Sequence, residues 1–430
     1  MAIDYTQLYK QYDGFRHPVI EIEVDGNRLS DATKTRIAIS DITIDISAGF
    51  EASQAVFCLY NVYDPLNTTF DFKSAKKFIL LGSAVKIYMG YNSIATTVFA
   101  GVITKVDFFY EENEYPGIRV TAMDVKAVMM ANNSSKQFKA NTYSDAVKEI
   151  FDQSIYQTLR GDGAITELTI LSTPDGGAAD TATSAVGSLI PGAGSLTGGA
   201  SGAGEAATQQ AAAKMTDKSI ESVGESDYEF VVKVAKKYNM DFFVSAGQVV
   251  FRSAKSDTNT LMEITNEMPI KALNVEYDLT SQVGVVEVRG LDAGKAKVLT
   301  GKQKNSNKLS QGSKAKSLIS GTSYVYLDPS ASSTEEAQYR AKYIQEDRTY
   351  RLITLDLTIV GLPELLPGRF VNLSGFGTGV DNTYYIHSIK HTMDSDGIFL
   401  SRITGKAASA ASGLDVSGLA GSITDKIPSF

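Results

Sequence analysis

The chain has 430 residues, of which 43% are hydrophobic and 21% are charged, a composition typical of globular proteins with two or three domains. Its formal net charge of −8 argues against a surface dedicated to nucleic acid, because neutralising phosphates requires clustered Lys and Arg. A single cysteine, Cys58, excludes an internal disulfide, and no apolar run approaches the roughly 20 residues of a membrane-spanning helix.

The N-terminal segment MAIDYTQLYKQYDGF has neither the basic nor the apolar region of a signal peptide. We therefore expect synthesis in the cytoplasm without a signal peptide. Export by another route stays open.

Between residues 18 and 119, apolar side chains recur at every second position. The run ISDITIDISAGF, for example, places Ile42, Ile44 and Ile46 on one face of a strand. Each such run is bounded by Gly, Asn, Asp or Pro, which favour turns. The pattern predicts an antiparallel sheet that closes into a barrel or sandwich, and we assign it to a first domain at residues 1–125.

Two helices interrupt the β pattern after this domain. In NTYSDAVKEIFDQSIYQTL we predict one helix, with Thr142 or Ser144 as N-cap and an apolar face that extends from Val147 to Ile155. These residues begin a helical and hairpin elaboration at residues 126–264.

The second helix has clear signals at both ends. Ser226 and Glu229 form the pattern of a capping box, and Asn239 is suited to end the helix in the left-handed conformation. Phe230, Val234 and Tyr238 give its apolar stripe. Two short strands follow around Ala246-Gly247, which predicts a hairpin.

A segment of Gly, Ala, Ser and Thr at residues 172–214 lies between the two helices. It has too little apolar surface to offset the entropy lost on ordering, so we predict a flexible insertion. A similar composition marks a small-residue tail at residues 407–430.

The β pattern resumes in a third domain at residues 265–406. We predict two strands within residues 269–293, a helix at 333–347, a long strand at 351–361 and a final hairpin that turns near residues 395–397. The Lys-rich residues 295–317 are interpreted as a solvated loop. Contact with an anionic partner is the alternative for this segment.

The sequence contains no convincing catalytic or ligand-binding pattern. His387 and His391 lie in a run with strand periodicity, where positions four apart share a face but are separated by roughly 13 Å, too far for one metal ion. The acidic run YEENE is interpreted as a charged hairpin tip. Cys58 is interpreted as a buried apolar residue. A nucleophilic cysteine would need a base nearby, and His17 is the sole histidine in that half of the chain. We therefore predict no catalytic, cofactor-binding or metal-binding residue, no cofactor and no enzymatic activity.

Three segments in order carry a resemblance to a known family. They are ESDYEFVVKVAKKYNMDFFVSAGQVVFR (residues 225–252), STEEAQYRAKYI (333–344) and GLPELLPGRFVNLSG (361–375), the last followed by NTYYIHSIKHTMDSDGIFLSRI. The set resembles the phage late-control protein D family over about two-thirds of the chain. That family includes the baseplate hub of contractile tails, R-type bacteriocins and the N-terminal half of the VgrG spike of type VI secretion.

The resemblance implies a mainly β fold with α elaborations, in which each chain has two tube-protein-like β-barrels. Three chains would then form a pseudo-hexameric ring, so that six similar surfaces arise from a homotrimer. The implied function is a structural baseplate hub of a contractile phage tail or injection particle. It would join the hexameric inner tube to the trimeric spike and line the central channel.

The resemblance also implies partners and a location, and it gives His391 a structural role. The partners would be a tail tube or tube-initiator protein above, a separate spike protein below, and a tape measure or cargo in the lumen, with no nucleic-acid sequence recognition and no membrane insertion. The protein would be incorporated in the virion or tail-like particle.

Two other functions stay open from the residues alone. One is a secreted or cell-surface carbohydrate-binding β protein, which the absence of Trp and of a signal peptide disfavours. The other is a hydrolase with scattered carboxylates, which a turnover assay on peptidoglycan would reveal.

The predicted flexible insertion leads to a first test. Deleting residues 176–212 is expected to leave soluble yield and the thermal unfolding midpoint unchanged, because the segment contributes little to any core. Size-exclusion chromatography and calorimetry check this. Loss of soluble protein would contradict the assignment.

Overall fold

In a computed structural model of the protein, the described residues are 3–29, 36–112, 114–176, 220–292, 295–306 and 313–409. Most of the insertion predicted at 172–214, and the tail beyond residue 409, lie outside these ranges. The described chain is mainly β and is built around one large, predominantly antiparallel sheet.

A first β unit comprises the strands that precede residue 124. They run in the order β3-β4-β9-β8-β7-β1-β2. Their bounds are β1 (Pro18–Val24), β2 (Asn27–Arg28), β3 (Ala38–Ser47), β4 (Gln54–Tyr60), β5 (Tyr63–Asp64), β6 (Thr69–Phe70), β7 (Ala84–Tyr91), β8 (Ile94–Phe109) and β9 (Gly117–Met123). Helix α1 (Tyr5–Gln11), helix α2 (Phe72–Ala75) and the 3-10 turns Asp13–Phe15 and Lys76–Phe78 accompany them.

A second β unit begins after residue 259. Its strands run in the order β16-β20-β23-β22-β21-β15. They are β15 (Thr260–Thr265), β16 (Ile270–Tyr277), β20 (Ile353–Val360), β21 (Phe370–Ser374), β22 (Asn382–Met393) and β23 (Phe399–Ala407).

The two units have the same strand order. In chain order, the six main strands of the first unit are β1, β3, β4, β7, β8 and β9. They correspond to β15, β16, β20, β21, β22 and β23 of the second unit. Across the sheet, both units place these six strands in the order second, third, sixth, fifth, fourth and first. The neighbouring pairs have the same antiparallel sense except the last, since β1 and β7 are antiparallel whereas β15 and β21 are parallel. A β-bulge follows Ile103 in β8 and Ile386 in β22, at corresponding places. The chain thus contains an internal structural repeat.

The two β units also share a sheet and a core. Strand β22 pairs with β3, which joins both units into one 13-stranded sheet. One cluster of buried side chains includes Ile44 and Phe57 of the first unit and Leu355 and Ile389 of the second. The units are therefore packed as one body.

The helical elaboration has its own core and lies between the two β units in sequence. It contains helices α3 (Lys126–Ala131), α4 (Tyr143–Phe151), α5 (Ser154–Gly161) and α6 (Asp227–Tyr238), the 3-10 turn Pro174–Gly176, and strands β10 (Asn133–Gln137), β11 (Glu167–Ile170), β12 (Glu221–Ser226), β13 (Met240–Ser245) and β14 (Gln248–Ser253).

The single helix predicted within residues 141–159 is in fact two helices. Thr142 is the N-cap as predicted, but α4 ends at Phe151 and Gln153 adopts an extended conformation before α5. The break turns the chain, so that Ile155 is 42% exposed whereas Tyr156 and Leu159 are the buried residues of α5. The prediction of one continuous helix was wrong because the 3.6-residue repeat of apolar positions starts again after Gln153.

The signals of α6 are confirmed. The side chain of Ser226 accepts the backbone N–H of Glu229, and the Glu229 carboxylate accepts the N–H of Ser226 in return. Asn239 ends the helix with φ of 55°. The hairpin of β13 and β14 turns at Ala246-Gly247, both at positive φ, which suits the right-handed twist of its strands.

A small sheet is inserted between β16 and β20. It contains β17 (Val285–Asp292), β18 (Lys297–Lys304) and β19 (Ser323–Leu327), with helices α7 (Ser313–Ser320) and α8 (Thr334–Thr349). The helix predicted at 333–347 is confirmed as α8, with Ser333 as its N-cap.

The prediction of a loop at residues 295–317 was wrong, since this segment contains β18 and most of α7. Exposed lysines dominate β18, but Leu299 and Gly301 point inward. A Cβ atom on Gly301 would lie 2.2 Å from the backbone of Ala337, so α8 packs directly on this strand. With only two buried positions between exposed lysines, the segment lacks the alternation of apolar and polar residues that predicts a strand.

Val234 in α6 provides a test of the helix packing, because it is fully buried in the core of the elaboration. Val234→Asp is expected to lower the free energy of unfolding by about 3–5 kcal/mol, because it buries an unpaired charge. Urea denaturation measures the loss. Val223 is 72% exposed, so Val223→Asp should change stability by less than about 0.5 kcal/mol. Equal effects of the two substitutions would reject the packing.

Candidate assembly interface

The junction between the two β units is an antiparallel ladder of six residue pairs, which we call the seam. It joins residues 388–393 of β22 to residues 42–47 of β3, from Ser388 opposite Ser47 to Met393 opposite Ile42. On the same edge, the earlier part of β22 pairs with β21. A single strand therefore completes the second unit with its first half and binds the first unit with its second half.

The core side of the seam is closed. Ile42, Ile44 and Ile46 of β3 are at most 3% exposed, and Ile389 of β22 is 1% exposed. Backbone amides at this depth require hydrogen-bond partners, which the ladder supplies. On the opposite side, Lys390 and Asp45 form an ion pair of 3.9 Å that water reaches, so it contributes little.

His391 is part of the seam core. Its ring is fully buried opposite Ile44, and its Nδ1 atom lies 2.8 Å from the Ser401 Oγ atom on β23. The same Ser401 oxygen accepts the backbone N–H of Leu362 at 2.9 Å. Burial lowers the pKa of His391 to about 4, so the ring is neutral near pH 7. The geometry favours a packing and hydrogen-bonding role.

His387 lies on the other face of β22, contrary to the shared face predicted for the two histidines. The bulge between Ile386 and Ser388 inserts one residue and reverses the alternation. The His387 ring borders a cavity of about 270 Å³, with its Nε2 atom 3.9 Å from the Glu51 carboxylate. Burial, and then the charge of Lys406, lowers the pKa of His387 to about 4.

Buried charges around this cavity were missed by the sequence analysis. Lys126 is completely buried at the start of α3, and its Nζ atom donates to the carbonyl oxygens of Gly49 and Glu51 at 3.2 and 2.8 Å. Burial lowers the pKa of Lys126, partly offset by the Asp124 carboxylate. Asp124 in turn accepts the N–H of Ser53 at 2.8 Å. These bonds fasten the turn between β3 and β4 to the helical elaboration.

A second cluster connects the elaboration to the second β unit. The Lys255 Nζ atom lies 2.9 Å from the Glu346 carboxylate of α8, and the Lys255 N–H donates to Asp241 at 2.8 Å. The Tyr385 hydroxyl donates to the same carboxylate at 3.3 Å. The charged groups are thus engaged with one another, which indicates a structural junction.

The remaining chemical candidates have structural places. Cys58 is buried in β4, and burial raises the pKa of its thiol, so the thiolate is disfavoured. Gly377 and Gly379 lie in a turn next to Asp381, whose carboxylate accepts the backbone N–H groups of Phe376 and Gly377. Glu111 and Glu112 are exposed near the tip between β8 and β9. Within the described ranges, no group of three or more metal-ligating side chains is found.

In the part of the chain that the structure describes, the sheet edges without a strand partner include two on long strands of the large sheet. One is the edge of β8 beyond Ile103, where pairing with β7 has ended, and the other is the outer edge of β16. Phe108 is 47% exposed on the first, and Tyr110, just beyond the strand, is 65% exposed. Unpaired edges of this kind are sites for strand addition.

A family model described as the Alg8 N-terminal domain matches residues 17–165 and 204–395. The chain belongs to this family. The match includes strands of both β units and nearly all of the helical elaboration. No curated protein sequence matches this Alg8 N-terminal domain family member.

Three solved structures with a similar fold are tail proteins, and two of them come from prophages. The 43 kDa tail protein of prophage MuSo2 from Shewanella oneidensis has a TM-score of 0.60 at 14% identity, over 90% of this chain and 98% of that chain. A tail protein from Neisseria meningitidis MC58 has a TM-score of 0.59 at 11% identity, over 91% and 99%. Prophage tail protein gp18 from Listeria monocytogenes EGD-e has a TM-score of 0.50 at 10% identity, over 93% and 97%.

These structural similarities establish that the chain has, across nearly its whole length, a fold found in phage tail proteins. The shared fold agrees with the broad resemblance seen in the sequence. None of the described helices is both long and apolar enough to cross a membrane.

His391 makes the stability of the seam depend on pH. An unfolded histidine titrates near pH 6.5, whereas the buried ring titrates near pH 4. The contribution of the neutral, buried ring to the free energy of unfolding is therefore fully present above pH 6.5. It falls as the pH drops towards 4, where the loss approaches about 3 kcal/mol. The His391→Gln variant lacks this titrating ring, so its free energy of unfolding should vary less between pH 7 and 4.5.

Denaturant melts across this pH range check the prediction, with His17→Gln as the control because His17 is exposed. The control should retain the wild-type pH dependence. An unaltered slope in His391→Gln would contradict the assignment.

Proposed function

We propose that the protein is the structural hub of a contractile phage tail or of a related injection particle. In this proposal three chains form a ring that joins a hexameric inner tube to a trimeric spike. The observation that carries it is the internal repeat, since both β units have the same strand order although their sequences and insertions differ.

The physical basis is a mismatch of symmetry. A hexameric tube presents six equal surfaces, whereas a trimeric spike presents three. A trimer of chains with two like units offers six similar sheets to one partner and three copies of its non-repeated parts to the other. The non-repeated parts are the helical elaboration and the small sheet β17-β18-β19.

The face of the large sheet opposite the core is suited to line an aqueous channel. Seven strands carry alternating polar residues there: Asn274, Glu276, Thr354, Asp356, Thr358, Arg402, Thr404, Lys390, Thr392, Thr43, Asp45, Arg119, Thr121, Lys105 and Asp107. On β4 the same face carries Val56 and Cys58. This set has four cations and four anions, and Lys406, opposite Thr354 on the same face, adds a fifth cation. A wall of mixed charge without a large excess of either sign would let a polypeptide or another cargo pass without strong binding.

The proposed division of the chain follows from this role. Residues 1–125 and 265–406 form the two tube-like barrels, except that β15 moves the start of the second barrel to Thr260. The rest of residues 126–264 form the elaboration, with the insertion at 172–214. The small-residue tail occupies 407–430. The fold shared with two prophage tail proteins and a third tail protein supports this division and a place in the tail or virion.

The proposed partners are a tube or tube-initiator protein, a separate spike protein and a tape measure or cargo in the channel. The buried, mutually paired charges and the neutral histidine support a non-enzymatic role. No observation favours the carbohydrate-binding alternative.

The ring is tested with the purified chain. Native mass spectrometry or light scattering should give three times the 46.3 kDa chain mass, and electron micrographs should show rings with pseudo-sixfold end views. Because assembly of such hubs can depend on neighbours, the same measurement is made after co-expression with the adjacent tail gene products. A monomer under both conditions would refute the proposal.

A further inference from the structure

A cleft of about 430 Å³ lies between helix α6 and the segment that connects β19 to α8. Lys233, Lys236 and Lys237 line it from α6, where positions three and four apart are neighbours on the helix surface. Arg340 lines it from α8 and donates to the backbone carbonyl oxygen of Lys236 at 3.1 Å. The cleft therefore draws cationic side chains from two elements that are packed together.

The two carboxylates in the lining of the cleft are already engaged. Glu229 accepts the backbone N–H of Ser226 at 2.7 Å and its hydroxyl at 2.9 Å, as part of the capping box of α6. Asp328 accepts the backbone N–H of Ser330 at 3.0 Å and its hydroxyl at 2.6 Å. These local bonds hold both carboxylates in place and occupy part of their capacity to accept.

Two of the four cations have carboxylate partners. Lys233 pairs with Glu225, and the Lys237 Nζ atom lies 3.1 Å from the Glu336 carboxylate. The second pair is well shielded, since each of its side chains is 13% exposed. The charges of Lys233 and Lys237 are thus neutralised within the chain, which leaves the other two cations of the cleft to be considered.

Lys236 forms no ion pair with a carboxylate of the described residues. Its Nζ atom lies 5.2 Å from the centre of the Phe50 ring. Burial, and then the charge of Arg340, lowers the pKa of Lys236, and Asp347 offsets this only in part. A half-buried ammonium group beside a second cation has an electrostatic cost, which an anion between them would relieve.

Arg340 is short of acceptors in the described structure. Its Nε atom is buried and makes no hydrogen bond, because the Asp328 carboxylate is 3.5 Å away, beyond the usual N–H···O distance. The guanidinium lies 5.2 Å from the ring centres of both Tyr326 and Tyr343, so its position is held by packing. Buried donors in native proteins are normally hydrogen-bonded, which favours an acceptor supplied from outside the chain.

We propose that this cleft binds an acidic segment of a partner protein and places one of its carboxylates between Lys236 and Arg340. The carboxylate would accept charge-assisted hydrogen bonds from both side chains. Because α6 and α8 belong to the non-repeated parts of the chain, each chain offers one such site. The inference goes beyond the hub proposal, since it requires neither the trimer nor the tube.

The surroundings of the cleft favour a polypeptide over a nucleic acid. Tyr228 and Val232 give it an apolar wall beside the lysines, which suits amino-acid side chains. Glu229 and Asp328 would repel a continuous row of phosphates, and the formal net charge of −8 disfavours the approach of a long polyanion. A segment with spaced carboxylates can reach the cations and avoid both acidic side chains.

The test is the binding of a fluorescein-labelled Glu-rich peptide to the purified full-length chain, followed by fluorescence anisotropy. The same peptide with Gln in place of Glu is the neutral reference. The Glu-rich peptide should bind once per chain and more weakly as salt is raised, and the Gln peptide should not bind. Lys236→Gln should weaken binding by about tenfold, as expected when a hydrogen bond between charged groups is lost.

Lys271→Gln is the matched control, because it removes the same charge from an exposed position on β16, outside the cleft. It should bind the peptide as the wild-type chain does. The thermal unfolding midpoint separates binding from a structural role. In Lys236→Gln it should not decrease, since the substitution removes a half-buried charge that lies beside Arg340.

Four results would overturn the proposal. They are absence of peptide binding, equal affinity in the wild-type chain and Lys236→Gln, equal weakening in Lys271→Gln, and tighter binding of inorganic phosphate or a single-stranded oligonucleotide than of the peptide. A decreased midpoint with unchanged peptide binding would assign Lys236 a structural role instead. The mass of the unliganded chain is measured separately, so each of these results leaves the hub proposal standing.

Discussion

The seam between β3 and β22 is the contact on which the rest of the architecture depends. It is a backbone ladder closed on one side by isoleucines and a neutral histidine, so separating the two β units would expose apolar side chains and unpaired amides together. The bulge at His387 lies where the pairing of β22 changes from β21 of its own unit to β3 of the neighbouring unit, along the same edge. The relative position of the units is thereby fixed.

The insertions are placed where they do not disturb this arrangement. The helical elaboration follows β9 and the small sheet follows β16, both outside the ladder of the large sheet. Buried groups such as Lys126 and Lys255 then fasten the elaboration to both units. Such groups add little net stability but penalise any other orientation, since a displaced cation would stay buried without a partner. The sheet can thus keep a repeated pattern while the remainder of the chain is unique.

Local signals in the sequence were reliable where a short segment determines its own conformation. The capping box at Ser226 and Glu229, the left-handed Asn239 and the alternating residues of β3 are of this kind. Local signals were misleading where a neighbouring element decides the conformation of a segment. The Lys-rich β18 forms because β17 and α8 lie against it, and the helix at residue 151 ends because the chain turns to bury Tyr156.

The sequence by itself determined the mainly β class, the main helices and the lack of a recognisable catalytic pattern, because periodicity, capping and composition act over a few residues. It also carried a resemblance that indicated two like units. Only the tertiary structure decided that these units share one strand order, that β22 joins them and that His387 and His391 face opposite sides. Pairing partners and a single-residue bulge are settled by contacts between residues more than 300 positions apart, such as His391 and Ile44, which no local pattern encodes.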